Sequence, residues 1–179
     1  PGGMAQRGQE YLAMADMYAL PASESKPFTK DEAAAFKAQL DDSSADEALQ
    51  LIMSIQEMGR VPAQAAMAQI GEDGNVYAYA GGIAMETGQL PIASDIIRGQ
   101  KRINDNPSIK AQIGQSSDGM SMSFNSIVGA SLAGIAPDQR QAIQDAALAH
   151  YVETYVSRGA EGFNNAAYTK SVQSVIGGD

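Results

Sequence analysis

Cysteine is absent from the chain and histidine occurs once, at position 150. These gaps remove whole classes of chemistry. Without cysteine there is no disulfide framework, no thiol nucleophile and no sulfur-ligated zinc, and one imidazole gives little basis for a histidine metal site. Basic residues are scarce as well: 12 Lys and Arg stand against 21 Asp and Glu, for a net charge of −9 and a pI near 4.5. Phosphate binding needs cations gathered on one face, so the composition argues against a general nucleic-acid or anionic-membrane binder. The longest nearly apolar run, Ile127 to Ala136, falls far short of the ~20 residues that span a bilayer. No cofactor is implied, since neither a phosphate loop nor a dinucleotide glycine pattern follows a strand.

Glycine is what the sequence does have, 18 in 179 residues. Gly59, Gly71, Gly88, Gly114, Gly134 and Gly159 each follow an apolar run of helical period, and glycine ends a helix at low cost because its αL conformation carries no Cβ penalty. Helix starts alternate with these stops. Thr29 with Glu32 and Ser44 with Glu47 have capping-box spacing, Pro62, Pro91 and Pro137 suit first turns, and Asp73 and Asp118 are placed as caps. Between them run helical faces: Tyr11, Met14, Ala15 and Tyr18; Leu49, Ile52, Met53 and Gln56; Met120, Phe124, Ile127, Val128, Ser131 and Ile135; Ile143, Leu148, Tyr151, Val152 and Tyr155. A last helix is predicted from Gly162 to Ile176. The brief alternation of Asn75 to Tyr79 is outweighed by the Asp73 cap.

The expected fold is all-α, an irregular array or bundle of about eight to nine short helices with no sheet. The terminating glycines are unevenly spaced, which argues against a repeat array. One helical domain over 1–179 is expected, with a sub-lobe boundary at the proline- and serine-rich 21–28. Pro1-Gly2-Gly3 and the closing Gly177-Gly178 give the chain the character of a fragment of a longer protein.

Candidates for chemistry are few. Glu86-Thr87-Gly88 resembles the Glu-Ser-Gly signature around the catalytic acid of soluble lytic transglycosylases, and that resemblance implies Glu86 as general acid and base in peptidoglycan cleavage. A glycan-cleaving acid must be sheltered enough to hold a proton near neutrality. The family's following Gly-Leu-Met-Gln is absent, and Ser94 to Arg98 stand in that region, so an ordinary solvated glutamate in a last helical turn is the preferred reading. His150, with Asp145 and Glu153 nearby in sequence, would need a serine in space to form a triad, and is expected to be a surface or packed side chain. Asp41, Asp42, Asp46 and Glu47 cluster where acids complement a helix start, and neither they nor Glu72 to Asn75 have calcium-loop spacing. Arg98, Lys101 and Arg102 share one helical face and form a candidate anion or partner patch, although Asp95 is placed to pair with Arg98. Ser126, Gly129, Ala130, Ala133 and Gly134 are expected to pack tightly inside a core.

A broader similarity runs through Phe28 to Ala35, Ser44 to Leu49, Tyr79 to Ala84, Asp95 to Gly99 and Ala167 to Gly178. These segments resemble alanine-rich helical regions of large phage and prophage virion-associated proteins. The resemblance implies a non-catalytic structural or protein-interaction module of a phage-derived polypeptide. Its partners would be other parts of that polypeptide or virion components, and its location a virion or the bacterial cytoplasm.

Overall fold

Two capping boxes set the start of the second and third helices. The computed structural model describes residues 2–19, 26–71 and 73–177. In it the Thr29 hydroxyl accepts the Glu32 amide at 3.2 Å while the Glu32 carboxylate accepts the Thr29 amide at 2.8 Å, and Ser44 and Glu47 repeat the exchange at 3.3 and 2.9 Å. Each cap satisfies donors that the helix itself cannot, a contribution of about 1 kcal/mol. All six predicted terminators have positive φ, from 69° at Gly114 to 121° at Gly71, but Gly134 ends no helix: it lies in turns beyond Gly129, which caps α8.

Ten α-helices form among the described residues, and no strand. The chain divides into two compact units, residues 1–88 and 89–179, and the division falls at the helix-ending Gly88. Most of the loop at 21–28 lies outside the described residues, as does Pro21, expected to close the first helix.

The first unit contains α1 (Gly2–Met17), α2 (Lys30–Asp42), α3 (Ala45–Gln56), α4 (Arg60–Ala68) and α5 (Gly74–Thr87). Helix α5 packs on α3 and α4, with α2 against α3 and α1 against α4. Ile52 and Ile55 from α3, Ala63, Ala66 and Met67 from α4 and Ala80 from α5 are completely buried. The segment entering α2 is pinned by Gln69, whose side chain accepts the Phe28 amide at 3.0 Å and donates to the Phe28 carbonyl at 2.8 Å. Arg7 joins α1 to this corner through Glu32 at 2.5 Å and through its guanidinium 5.3 Å from the Phe28 ring centre.

The second unit contains α6 (Leu90–Asp105), α7 (Ile109–Gln112), α8 (Ser117–Val128), α9 (Pro137–Thr154) and α10 (Asn165–Ile176). Helix α9 is central: Ala142, Ile143, Ala146, Ala147, Ala149, His150, Tyr151 and Val152 are all buried, too wide an arc for a helix covered on one side. Its longest packing is with α6, and α10 packs on both α9 and α8. Close approach of α6 and α9 depends on Gly99, because a Cβ there would fall 1.8 Å from the Ala149 carbonyl oxygen. After α9, a 3-10 turn over Val156–Arg158 ends at Gly159, and Asn164 caps α10 by accepting the Ala167 amide. The Tyr151 hydroxyl accepts the Asn164 amide at 3.0 Å, and Tyr151, Phe163 and Tyr168 cluster with ring centres 5.4 to 5.9 Å apart.

Several sequence expectations require correction. The stripe from Met120 to Ile135 is not one helix: α8 stops at Val128, Gly129 takes a φ of 50°, and Ser131 and Ile135 lie in turns. The small residues Ser126, Gly129, Ala130, Ala133 and Gly134 are consequently exposed rather than buried, since glycines interrupt the segment before it can present a continuous face. Caps shift as well. Ser116, not Asp118, accepts the Gly119 amide at 3.1 Å, and Asp73 precedes α5 with helical φ and ψ and makes no side-chain cap bond. Pro62 does lie in a first turn as expected, that of the helix Arg60–Ala68.

Replacing Gly99 by alanine is expected to cost about 1–3 kcal/mol by forcing α6 from α9, read as a lower midpoint in urea denaturation. Gly82→Ala, where a Cβ meets nothing within 4 Å in the interior of α5, is expected to stabilise by about 0.5–1 kcal/mol.

Candidate functional site

Glu86 sits in the last turn of α5, where its side chain is exposed. Its charge reaches Tyr79, two turns earlier, whose phenol is raised to about 12 chiefly by burial and secondly by that carboxylate. Neighbouring Thr87 donates its hydroxyl to the Ile83 carbonyl at 2.6 Å, a bond that closes the helix end. The Glu-Thr-Gly segment therefore forms a helix terminus in the first unit, with Gly88 in the αL conformation.

Arg98, Lys101 and Arg102 project from α6 in the second unit, as their spacing predicts, but acids share the face. Arg98 donates to Asp95 at 3.1 Å and Arg102 to Glu153 of α9 at 2.5 Å. The Glu153 carboxylate thus has Arg102 as its hydrogen-bond partner. Asp145, the other acid near His150 in sequence, accepts from Gln141 at 2.9 Å. His150 itself is buried in the unit, with Nδ1 lacking a hydrogen-bond partner among the described residues. Burial pushes its imidazole below the ordinary range, opposed by the negative charge of Asp95. The structure thus does not bring Asp145, His150 and Glu153 together as a relay.

The acidic cluster behaves as helix chemistry. Asp41 accepts from Lys37 at 2.8 Å along α2, and Glu47 completes the Ser44 box. Hydrogen bonds from the Ser44 amide and hydroxyl hold the Glu47 carboxyl below its usual range. Glu32 is lowered further, to about 2, first by Arg7 and then by the Thr29 amide. Among the described residues no group of three or more His, Asp or Glu could hold a metal ion, and no helix is long and apolar enough to cross a membrane.

What the sequence did not single out is a groove of about 640 Å³ in the first unit. Helix α1 contributes Met4 and Arg7, α3 contributes Gln50, Met53 and Glu57, and α5 contributes Met85, which is 48% exposed. The α3 residues recur at i, i+3 and i+7, so they form one stripe of that helix. Periodicity had marked Met53 as part of a buried face, yet it stands half-buried at the edge of that face, and Ile52 and Ile55 fill the core. On α1 the Met4 and Arg7 side continues through buried Tyr11 to Met14 and Tyr18, which are 60% and 65% exposed. Leu12 and Met17 add further exposed apolar surface.

Charge separates the two units. Residues 1–88 carry thirteen Asp and Glu against five Lys and Arg, whereas residues 89–179 carry eight against seven. Nearly all the excess negative charge therefore belongs to the unit that contains the groove.

No family model matches the chain, and neither a curated protein nor a solved structure matches it.

The buried imidazole gives a pH dependence whose sign is fixed. Because His150 has a lower pKa folded than unfolded, the unfolded state binds the extra proton first, and stability falls as pH drops below about 6.5. The slope from this one proton is at most about 1.4 kcal/mol per pH unit. Urea titrations at about pH 7 and about pH 5.5 are expected to show that loss, and His150→Leu is expected to flatten it.

Proposed function

We propose that this chain is a non-catalytic helical module that works by binding protein, as part of a phage- or prophage-derived polypeptide. The observation that carries the binding role is the exposed apolar surface of α1 together with the groove: Leu12, Met14 and Met17 of α1 and Tyr18 just after it are all 47% exposed or more, and Met85 of the groove lining is 48% exposed. Large apolar side chains gathered on one helix cost solvation in the free protein, and such a surface characteristically meets a partner. The virion setting rests on the likeness of its alanine-rich helical segments to those of phage proteins.

The rival reading, peptidoglycan cleavage by Glu86, is less well supported. A general acid of that kind draws its raised pKa from shelter, and the Glu86 side chain is exposed at a helix end. Met85 lines the groove, and Glu86 is not among the lining residues.

Purified protein is expected to leave a suspension of peptidoglycan turbid over hours. Solubilisation that disappears in Glu86→Gln would overturn the proposal in favour of the transglycosylase. Capsid or tail genes are expected beside its coding sequence, and a metabolic operon there would sink the phage setting.

A further inference from the structure

We infer that the methionine-lined groove of the first unit, with the α1 face that continues it, is a docking site for a basic amphipathic helix of a protein partner. The inference rests on the protein-binding role proposed above and names the chemistry of the occupant.

Three observations converge. Met4, Met53 and Met85 come from three different helices to one concavity. Thioethers on flexible stems adapt to the shape of an incoming side chain, and methionine surfaces suit helix recognition for that reason. Second, exposed apolar side chains recur beyond the groove. On the same stripe of α1, past Arg7 and buried Tyr11, Met14 and Tyr18 are 60% and 65% exposed, and from Met4 to Tyr18 the stripe extends about 21 Å at the helical rise, the length of roughly four turns of a partner helix. A small rigid ligand would occupy the concavity and leave Met14 and Tyr18 in water.

Third, the electrostatics select the partner. Glu57 lines the groove, and Glu10 and Glu86 are exposed on the helices that flank it. The cation in the lining, Arg7, is already engaged by Glu32 and by the Phe28 ring. With thirteen acids against five bases in this unit, a second copy would bring like charge to like charge, and an anionic lipid surface would be repelled. A helix with an apolar stripe flanked by Lys and Arg satisfies both the groove and its rim.

The nine methionines supply the probe. Protein labelled with ¹³C at the methionine methyls is titrated with a synthetic amphipathic peptide of about eighteen residues, Leu on one face and Lys on the other. The expected result is saturable shifts at Met4, Met14, Met53 and Met85, with Met120 and Met122 of the second unit unmoved. Binding is expected to weaken with rising salt, to vanish when Glu replaces Lys in the peptide, and to fall about tenfold in Met85→Gln or Met14→Gln. Both substituted side chains are exposed, and an unchanged methyl spectrum elsewhere in each variant confirms its fold.

No binding of the Lys peptide, equal binding of the Glu peptide, or shifts centred on Met122 would each overturn the docking site. Concentration-dependent shifts of Met14 without peptide would overturn it in favour of self-association. A null titration with peptidoglycan left intact removes the groove's assignment alone, whereas peptidoglycan cleavage removes the module reading on which it rests.

Discussion

Backbone-close contact between elements is the constraint on which both units depend. At Gly99 an added Cβ would sit 1.8 Å from the Ala149 carbonyl oxygen, and in the first unit a Cβ on Gly8 of α1 would sit 2.0 Å from the carbonyl oxygen of Met58, in the turn after α3. Such approach leaves no room for large side chains at the crossings themselves, and Ala63, Ala66, Ala80, Ala146, Ala147 and Ala149 are completely buried. Around them Ile52, Ile55, Met67, Ile96, Ile97 and Phe124, equally buried, supply most of the apolar burial. The aromatic cluster of Tyr151, Phe163 and Tyr168 adds bulk where the chain turns from α9 to α10.

The methionines divide between core and groove. Met58, Met67 and Met120 are buried, whereas Met53 is half-buried and Met85 exposed. The methionines and Glu57 of the lining, in a unit of excess negative charge, give the groove its chemical character. The second unit, nearly balanced in charge, uses its cations differently. Arg98 and Arg102 are tied to Asp95 and Glu153 on the elements that build the core, which turns the one sequence-visible basic patch into largely internal pairing.

Helix punctuation was the most legible part of this chain. Capping boxes and terminating glycines act within four or five residues, and their energetics need no distant partner, so Thr29, Ser44, Gly88 and Gly159 behave as their local sequence requires. Reading failed where a local pattern had two outcomes. The stripe from Met120 to Ile135 keeps helical spacing through Gly129, and the glycine's own preference prevailed over the periodicity. Asp118 and Ser116 are both able caps two residues apart, and the geometry of the entering chain selected the serine.

By itself the sequence determined the all-helical class, most helix ends and the net negative charge, because each follows from short-range backbone preference or simple composition. The groove, the division at Gly88, the exposure of Met14, Tyr18 and Met85, and the pairing of the α6 arginines were decided only by tertiary structure. Periodicity states which residues share a helix face, but whether that face meets a neighbour, a cavity or water depends on contacts between segments far apart in the chain.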